Sequence, residues 1–198
     1  MSANAVQHDN AASSTSSTSS EGGATTPPAR PVPAPEQLEF RHAMAHLPAA
    51  VSIITTDGEG GRCGITASAV CSVTDTPPTI LVCINRGSAM HDVFKKNGRL
   101  CVNVLSDELE QLAMHFSGAT KVPMEERFSW DIWEAPGELG QPVLADALVK
   151  LQGHIREFKE VGTHSVMFVE LAQVKVNEKK DSLIYFNRLF HKVKRTVL

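Results

Sequence analysis

The stretch GITASAVCSVTDTPP, Gly64 to Pro78, carries Ala, Ser and Thr where a core strand normally carries Val, Ile or Leu. Thr66, Ala67, Ser68 and Ala69 leave the main chain open to close approach, so a flat heteroaromatic ring can lie edge-on to its N–H and C=O groups. The hydroxyls of Thr66, Ser68 and Ser72 add donors. A few residues on, CINRGSAMHDVF places Asn85, Arg86 and Ser88 just ahead of an expected helix. Backbone N–H groups at a helix start, with the Ser88 hydroxyl and the Arg86 cation, suit a phosphate. Composition alone favours a plainer reading, an Ala-rich core strand followed by an ordinary capped helix.

The remaining reactive residue types form no recognisable site. His42 and His46 stand four apart on an expected helix, but no third ligand completes a metal site, and they read as surface or core-edge histidines. No metal is expected. Cys63, Cys71, Cys83 and Cys101 form no C-x-x-C pair and sit among apolar or small residues, so they read as free, packed thiols of a reducing compartment. Glu125, Glu126 and Arg127 are either polar groups near a site or plain surface. No G-x-G-x-x-G follows a strand and no G-x-x-x-x-G-K-[ST] is present. A nucleotide cofactor, if used, is therefore not held by a Rossmann or P-loop turn.

These residues sit on a chain of 198 residues with a formal net charge of -3, enough for one full core. Without a basic surplus, a nucleic-acid partner is not expected. No apolar run approaches a membrane span, and MSANAVQHDN lacks the basic start and apolar core of a secretory signal, so a cytoplasmic protein is expected. Residues 1–35 are Ser/Thr/Gly-rich, then Pro-rich, and bury too little to offset their ordering entropy; they read as a disordered arm. The folded domain is expected over 36–198.

EQLEFRHAMAHLP reads as a short amphipathic helix. AVSIITT, a loop at Asp57–Gly61, and RCGITASAVCSV read as a hairpin, with TILVCIN as a third strand. SAMHDVFKKNG, capped at Ser88 and closed at Gly98, and SDELEQLAMHFSG, capped at Ser106 or Asp107 and stopped at Gly118, read as helices flanking the strand RLCVNVL. The segment holding both Trp has no clean period. ALVKLQGHIREFKEVG, THSVMFVELAQVKVNE and SLIYFNRLFH read as three more strands. Six or seven strands joined mostly by hairpin-length turns give a mainly β fold: an antiparallel barrel with a few short α-helices.

FRHAMAHLPAAVSIITTDG, CGITASAVCSVTDTPPTILVCINRGSAM, GRLCVNVL, MEERFSW, and GTH with LIYFNRLFH, taken in order, resemble the split-barrel flavin reductases. They are most similar to the branch serving two-component oxygenases that hydroxylate phenols such as 4-hydroxyphenylacetate. The likeness covers nearly all of residues 38–193. It implies a Greek-key, FMN-binding type split β-barrel, a homodimer, and NAD(P)H-dependent reduction of FAD, FMN or riboflavin, with NADH as donor. Reduced flavin then passes to a separate oxygenase component.

On matching positions the resemblance implies that Gly64, Ile65, Thr66, Ala67, Ser68, Ala69 and Ser72 line the isoalloxazine, with Cys83 and Phe116 beside it. Asn85, Ser88 and Ala89 meet the ribityl chain and phosphate, and Asn103 completes the wall. The family's Gly-Asp-His triplet is Gly162-Thr163-His164 here, so its carboxylate is missing while His164 stays a candidate for the nicotinamide nucleotide. Tyr185, Arg188 and His191 approach from the last strand.

Hydride transfer between two stacked rings needs positioning more than covalent help, so neither a nucleophile nor an indispensable acid is expected. Two rivals stand beside this reading: a non-catalytic flavin-binding or storage barrel, and a split-barrel oxidase of a pyridoxine-type phosphate ester, which calls for more Arg and Lys around the ring.

Overall fold

The computed structural model describes residues 34–135 and 137–196. The arm expected over 1–35 lies outside them except for its last two positions. The chain folds mainly into antiparallel strands in two sheets, with few helices. After helix α1 (Pro35–Ala45), β1 (Ala49–Ala50) runs into β2 (Ser52–Thr56). The order in the larger sheet is β3 (Cys63–Ala67), β2, β6 (Arg99–Val104), β7 (Val149–Val161), β8 (His164–Val176), β5 (Pro78–Asn85) and β4 (Val70–Asp75). The smaller sheet pairs β1 with β9 (Ser182–Phe186), and β9 with β10 (Leu189–Val193).

The run expected as one strand from Arg62 to Val73 is two strands, and they occupy opposite edges of the seven-stranded sheet. Only Ser68 and Ala69 connect them. Three Cα steps from Ala67 to Val70 reach at most about 11 Å, whereas seven flat strands span roughly 29 Å. The sheet must therefore curl far enough to bring Ala67 at the end of β3 and Val70 at the start of β4 within this reach. Among the described residues no ladder joins β3 to β4; the link instead extends the β4–β5 pairing through Cys83 N–H to Ala69 O, 3.0 Å. Small residues suit this corner because the backbone turns where bulky neighbours would collide.

β2 shows how the body is held. All five of its residues are buried, because each face meets a different core. Ile54 points into the curl, among Val82, Ile84, Leu100, Met167 and Phe94 of α2 (His91–Asn97). Ile53 points the other way, to Leu105, Leu144, Leu183 and the apolar face of α3 (Glu110–Phe116). Each such side chain contributes roughly 1.5–3 kcal/mol of burial. The segment holding both Trp covers this second core with α4 (Met124–Ser129) and an aromatic cluster of Phe116, Phe128 and Trp133.

Three local expectations change. α2 starts at His91 with Met90 at its N-cap and no side-chain cap; the Ser88 hydroxyl accepts from Met90 N–H at 3.3 Å instead. α3 is preceded by a 3-10 turn, Asp107–Leu109, and Ser106 makes no capping bond. SLIYFNRLFH is a hairpin, not one strand: Asn187 and Arg188, at φ 48° and 64°, form its two-residue turn. Both positive φ values match the primed turns that fit twisted strands, in which glycine is the residue of choice.

Candidate active site

Around the link between β3 and β4 lies a cleft of about 530 Å³, within the range of small-molecule sites. Ile65 to Ala69 form one wall, Cys83, Ile84 and Asn85 of β5 the next, and Ser88 and Met90 the lip before α2. Phe116, Ser117 and Gly118 close it from the end of α3, with Arg127 of α4 and His164 at the start of β8. A second cleft, about 620 Å³, adjoins the first and shares Thr66, Ala67, Ser68 and Ser117 with it. Its far side is Tyr185, Arg188, Leu189 and Phe190 of the last hairpin, with Glu110 and Met114 of α3.

The structure thus gathers ten of the positions singled out in the sequence around one cavity: Ile65, Thr66, Ala67, Ser68, Ala69, Cys83, Asn85, Ser88, Phe116 and His164. Others fall elsewhere. Gly64 is buried behind the wall, and a side chain there would strike the Phe116 ring, 2.8 Å from its Cε1; Gly64 seats Phe116. Ser72 lies on exposed β4 opposite Ile80, and Ala89 is exposed outside the lining. Asn103 is fully buried: its amide donates to Ile53 O and Thr55 Oγ1 and its carbonyl accepts from Leu144 N–H. It ties β2, β6 and the segment before β7 together and does not reach the cleft.

The group expected from the last strands is split. His164 opens on the first cleft and accepts or donates through Nδ1 to Thr163 Oγ1 at 2.9 Å. Tyr185 and Arg188 face the second. His191 lines neither; its Nε2 is 3.2 Å from Phe186 O.

Charge is distributed differently from the sequence reading. Arg86 does not point into the cleft. Its guanidinium pairs with Glu160 at 2.9 Å and donates to Gly162 O, pinning the β7–β8 turn to β5. The cleft's one fixed charge is Arg127, only 7 % exposed. It donates from Nε and Nη2 to Val122 O at 3.0 and 2.6 Å and lies over the Phe116 ring, 5.4 Å from its centroid. Burial lowers its pKa, yet a guanidinium stays charged. No carboxylate pairs with it among the described residues, and a buried cation without a counter-charge favours an anionic ligand. Arg127 was legible only as one of two options, because MEERF reads equally well as a solvated helix face.

Burial raises the Cys83 thiol's pKa, so beside the cleft it stays protonated. Cys63 and Cys101, deep in the strands, are pushed up to about 12. All four cysteines are free, and among the described residues no cluster could hold a metal. No described helix is long and apolar enough to cross a membrane.

The molecule is thus a mainly antiparallel β-protein with a cleft walled by the small residues Thr66 to Ala69. The chain belongs to the flavin reductase like domain family, whose model matches residues 44–194. It is 59% identical over 159 residues to the 4-hydroxyphenylacetate 3-monooxygenase reductase component of Pseudomonas aeruginosa, covering 80% of this chain and 93% of that one. It is 48% identical over 164 residues to the FMN reductase (NADH) RutF of Pantoea ananatis, covering 83% and 85%. Among solved structures, the flavin reductase PheA2 superposes with a TM-score of 0.71 at 30% identity, over 80% of this chain and 98% of that one.

Proposed function

We propose that the protein is an NADH:flavin oxidoreductase, the reductase component of a two-component monooxygenase, acting as a homodimer of split-barrel subunits in the cytoplasm. FAD or FMN is reduced and leaves for an oxygenase component that hydroxylates a phenol such as 4-hydroxyphenylacetate. The single observation that carries this is the pair of clefts meeting at Thr66–Ser68. A hydride donor and acceptor must be in ring contact, and two adjoining cavities that share these lining residues let flat rings entering from each touch there.

A bound flavin supplies the hydride acceptor and the dinucleotide the hydride. The main chain of Thr66 to Ala69 meets the ring edge, and Ile65 and Phe116 keep that end dry. Ser88 and Arg127 face the ribityl-phosphate end. His164 on one side and Tyr185 and Arg188 on the other hold the nicotinamide nucleotide. The relatives named for reduction of flavin by NADH support this use of the site.

The dimer rests on α1. It buries none of its residues, and Phe40 and Met44, four apart on one side of it, and Leu47 just after it are exposed, Phe40 by 64 %. Exposed apolar groups of this kind mark interaction surfaces, which supports a second copy as their cover. Light scattering on the purified chain should report a dimer.

Mixing the protein with NADH and FAD or FMN while following absorbance at 340 nm tests the activity. Oxidation that depends on both added flavin and protein is expected; flavin bound without NADH oxidation identifies a storage protein instead. Moderate flavin affinity suits a product that must leave, so protein from gel filtration should be nearly colourless.

Arg188→Gly carries opposite signs for stability and function. Glycine relieves the left-handed strain at φ 64°, while its own chain entropy offsets part of the gain, leaving stability unchanged or raised by up to about 1 kcal/mol. The KM for NADH should rise about tenfold as one charge-assisted contact is lost. Thermal melts and steady-state kinetics on one preparation read both. A destabilised variant with unchanged KM refutes the assignment of Arg188.

A further inference from the structure

Beneath the first cleft the structure holds a chain of three polar side chains that no step above uses. His91, the first residue of α2, is 4 % exposed. Its Nε2 is 2.9 Å from Ser165 Oγ and its Nδ1 is 2.8 Å from Asp92 Oδ1. Ser165 is fully buried, whereas the Asp92 side chain is 93 % exposed. The carboxylate accepts only from an Nδ1–H, and in the tautomer that carries that proton alone Nε2 accepts the hydrogen bond from the Ser165 hydroxyl.

Asp, His and Ser in this order match the membership of a hydrolase triad. Ser165, the second residue of β8, is fully buried between its ladder partners Ile84 and Glu160, with no access for a substrate. A nucleophile's role is therefore excluded. What the chain does is mechanical. Ser165 follows His164, which lines the cleft, and His91 follows Met90, which with Ser88 forms the facing lip. The β5–β8 ladder ends at the Asn85–His164 pair. Past it, Arg86 N–H donates to Thr163 O at 2.9 Å at the exposed end, and the His91–Ser165 bond is the buried side-chain tie between the start of α2 and the start of β8. An apolar pair would fill the same volume without the desolvation of an imidazole and a hydroxyl, and a satisfied polar pair fixes one geometry where apolar contacts allow several.

We propose that His91 is a positioning residue for hydride transfer: through Ser165 it sets the spacing between the Ser88–Met90 lip and His164. This rests on the reading of the first cleft as the flavin site. Misplacements of about 1 Å cost up to 10²-fold in rate, and a lost side-chain tie moves these segments by less, so a loss of about tenfold is expected.

The test is stopped-flow reduction of FAD by NADH at saturating NADH, per folded protein by circular dichroism. Ser165→Ala should slow the reduction step about tenfold, His91→Gln by a similar factor, and the double variant no more than either alone. Ser165→Thr keeps the hydroxyl and should recover to within about threefold of the wild-type rate. Wild-type rates in Ser165→Ala and His91→Gln overturn the proposal. So does a Ser165→Thr variant as slow as Ser165→Ala, or a loss that only tracks unfolded protein. A wild-type protein that does not oxidise NADH overturns the reading of the cleft itself, which is a separate result.

Discussion

Ser68→Leu is expected to abolish flavin binding while leaving the far-UV circular dichroism and the melting temperature essentially unchanged. Ser68 is exposed and sits in the two-residue link between the edges of the curled sheet. Its carbonyl accepts from Val70 N–H at 3.0 Å, a bond that leucine keeps. The added isobutyl group has no core to enter and fills the wall common to both clefts. It holds a planar ring off the main chain, which removes the hydrogen bonds at the ring edge together with the stacking geometry. Loss of two such bonds at about 1.5 kcal/mol each weakens binding by roughly 100-fold or more. Titration of FAD or FMN followed by flavin fluorescence reads the dissociation constant. Affinity retained within a few-fold means that the ring lies elsewhere.

Arg127→Met separates flavin nucleotides from riboflavin. Methionine keeps the apolar stem over Phe116 but removes the only fixed charge lining the cleft. A charge-assisted contact to phosphate is worth about 1.5–3 kcal/mol, so FMN and FAD affinity should fall roughly 10- to 100-fold. Riboflavin, which has no phosphate, should bind with its original affinity. The comparison controls for damage to the fold: the substitution also strips Val122 O of its two donors, and any damage from that loss would lower riboflavin affinity along with FMN and FAD. A parallel drop for riboflavin reduces Arg127 to a structural role.

The curl of the large sheet explains both predictions and marks the limit of reading along the chain. GITASAVCSV is a continuous β-compatible run, and nothing local distinguishes a strand that continues from one that leaves its sheet and rejoins it at the far edge. The distinction depends on which partners β3 and β4 find, β2 and β5, and those contacts are made across the fold. Asn103 gives the same lesson. An amide at the end of a strand looks like a ligand until its partners are seen to be Ile53, Thr55 and Leu144. Arg86 and Arg127 exchange roles for a related reason. Arg86 stands beside Ser88 in sequence but finds Glu160 across the β7–β8 turn, while Arg127, some forty residues away, is folded into the cleft.

The sequence by itself determined the mainly antiparallel β character, the helix stop at Gly98, the free cysteines, the family, and the small-residue wall from Ile65 to Ala69. Each of these is written in side-chain size, period or co-linear pattern, which are local properties. Only the tertiary structure decided that two clefts adjoin at these residues, that Tyr185 and Arg188 line one and His164 the other, and that His91 reaches Ser165. Those are distances between residues far apart in the chain. The curl that sets them is fixed by ladder partners and core packing, for which a linear sequence carries no coordinate.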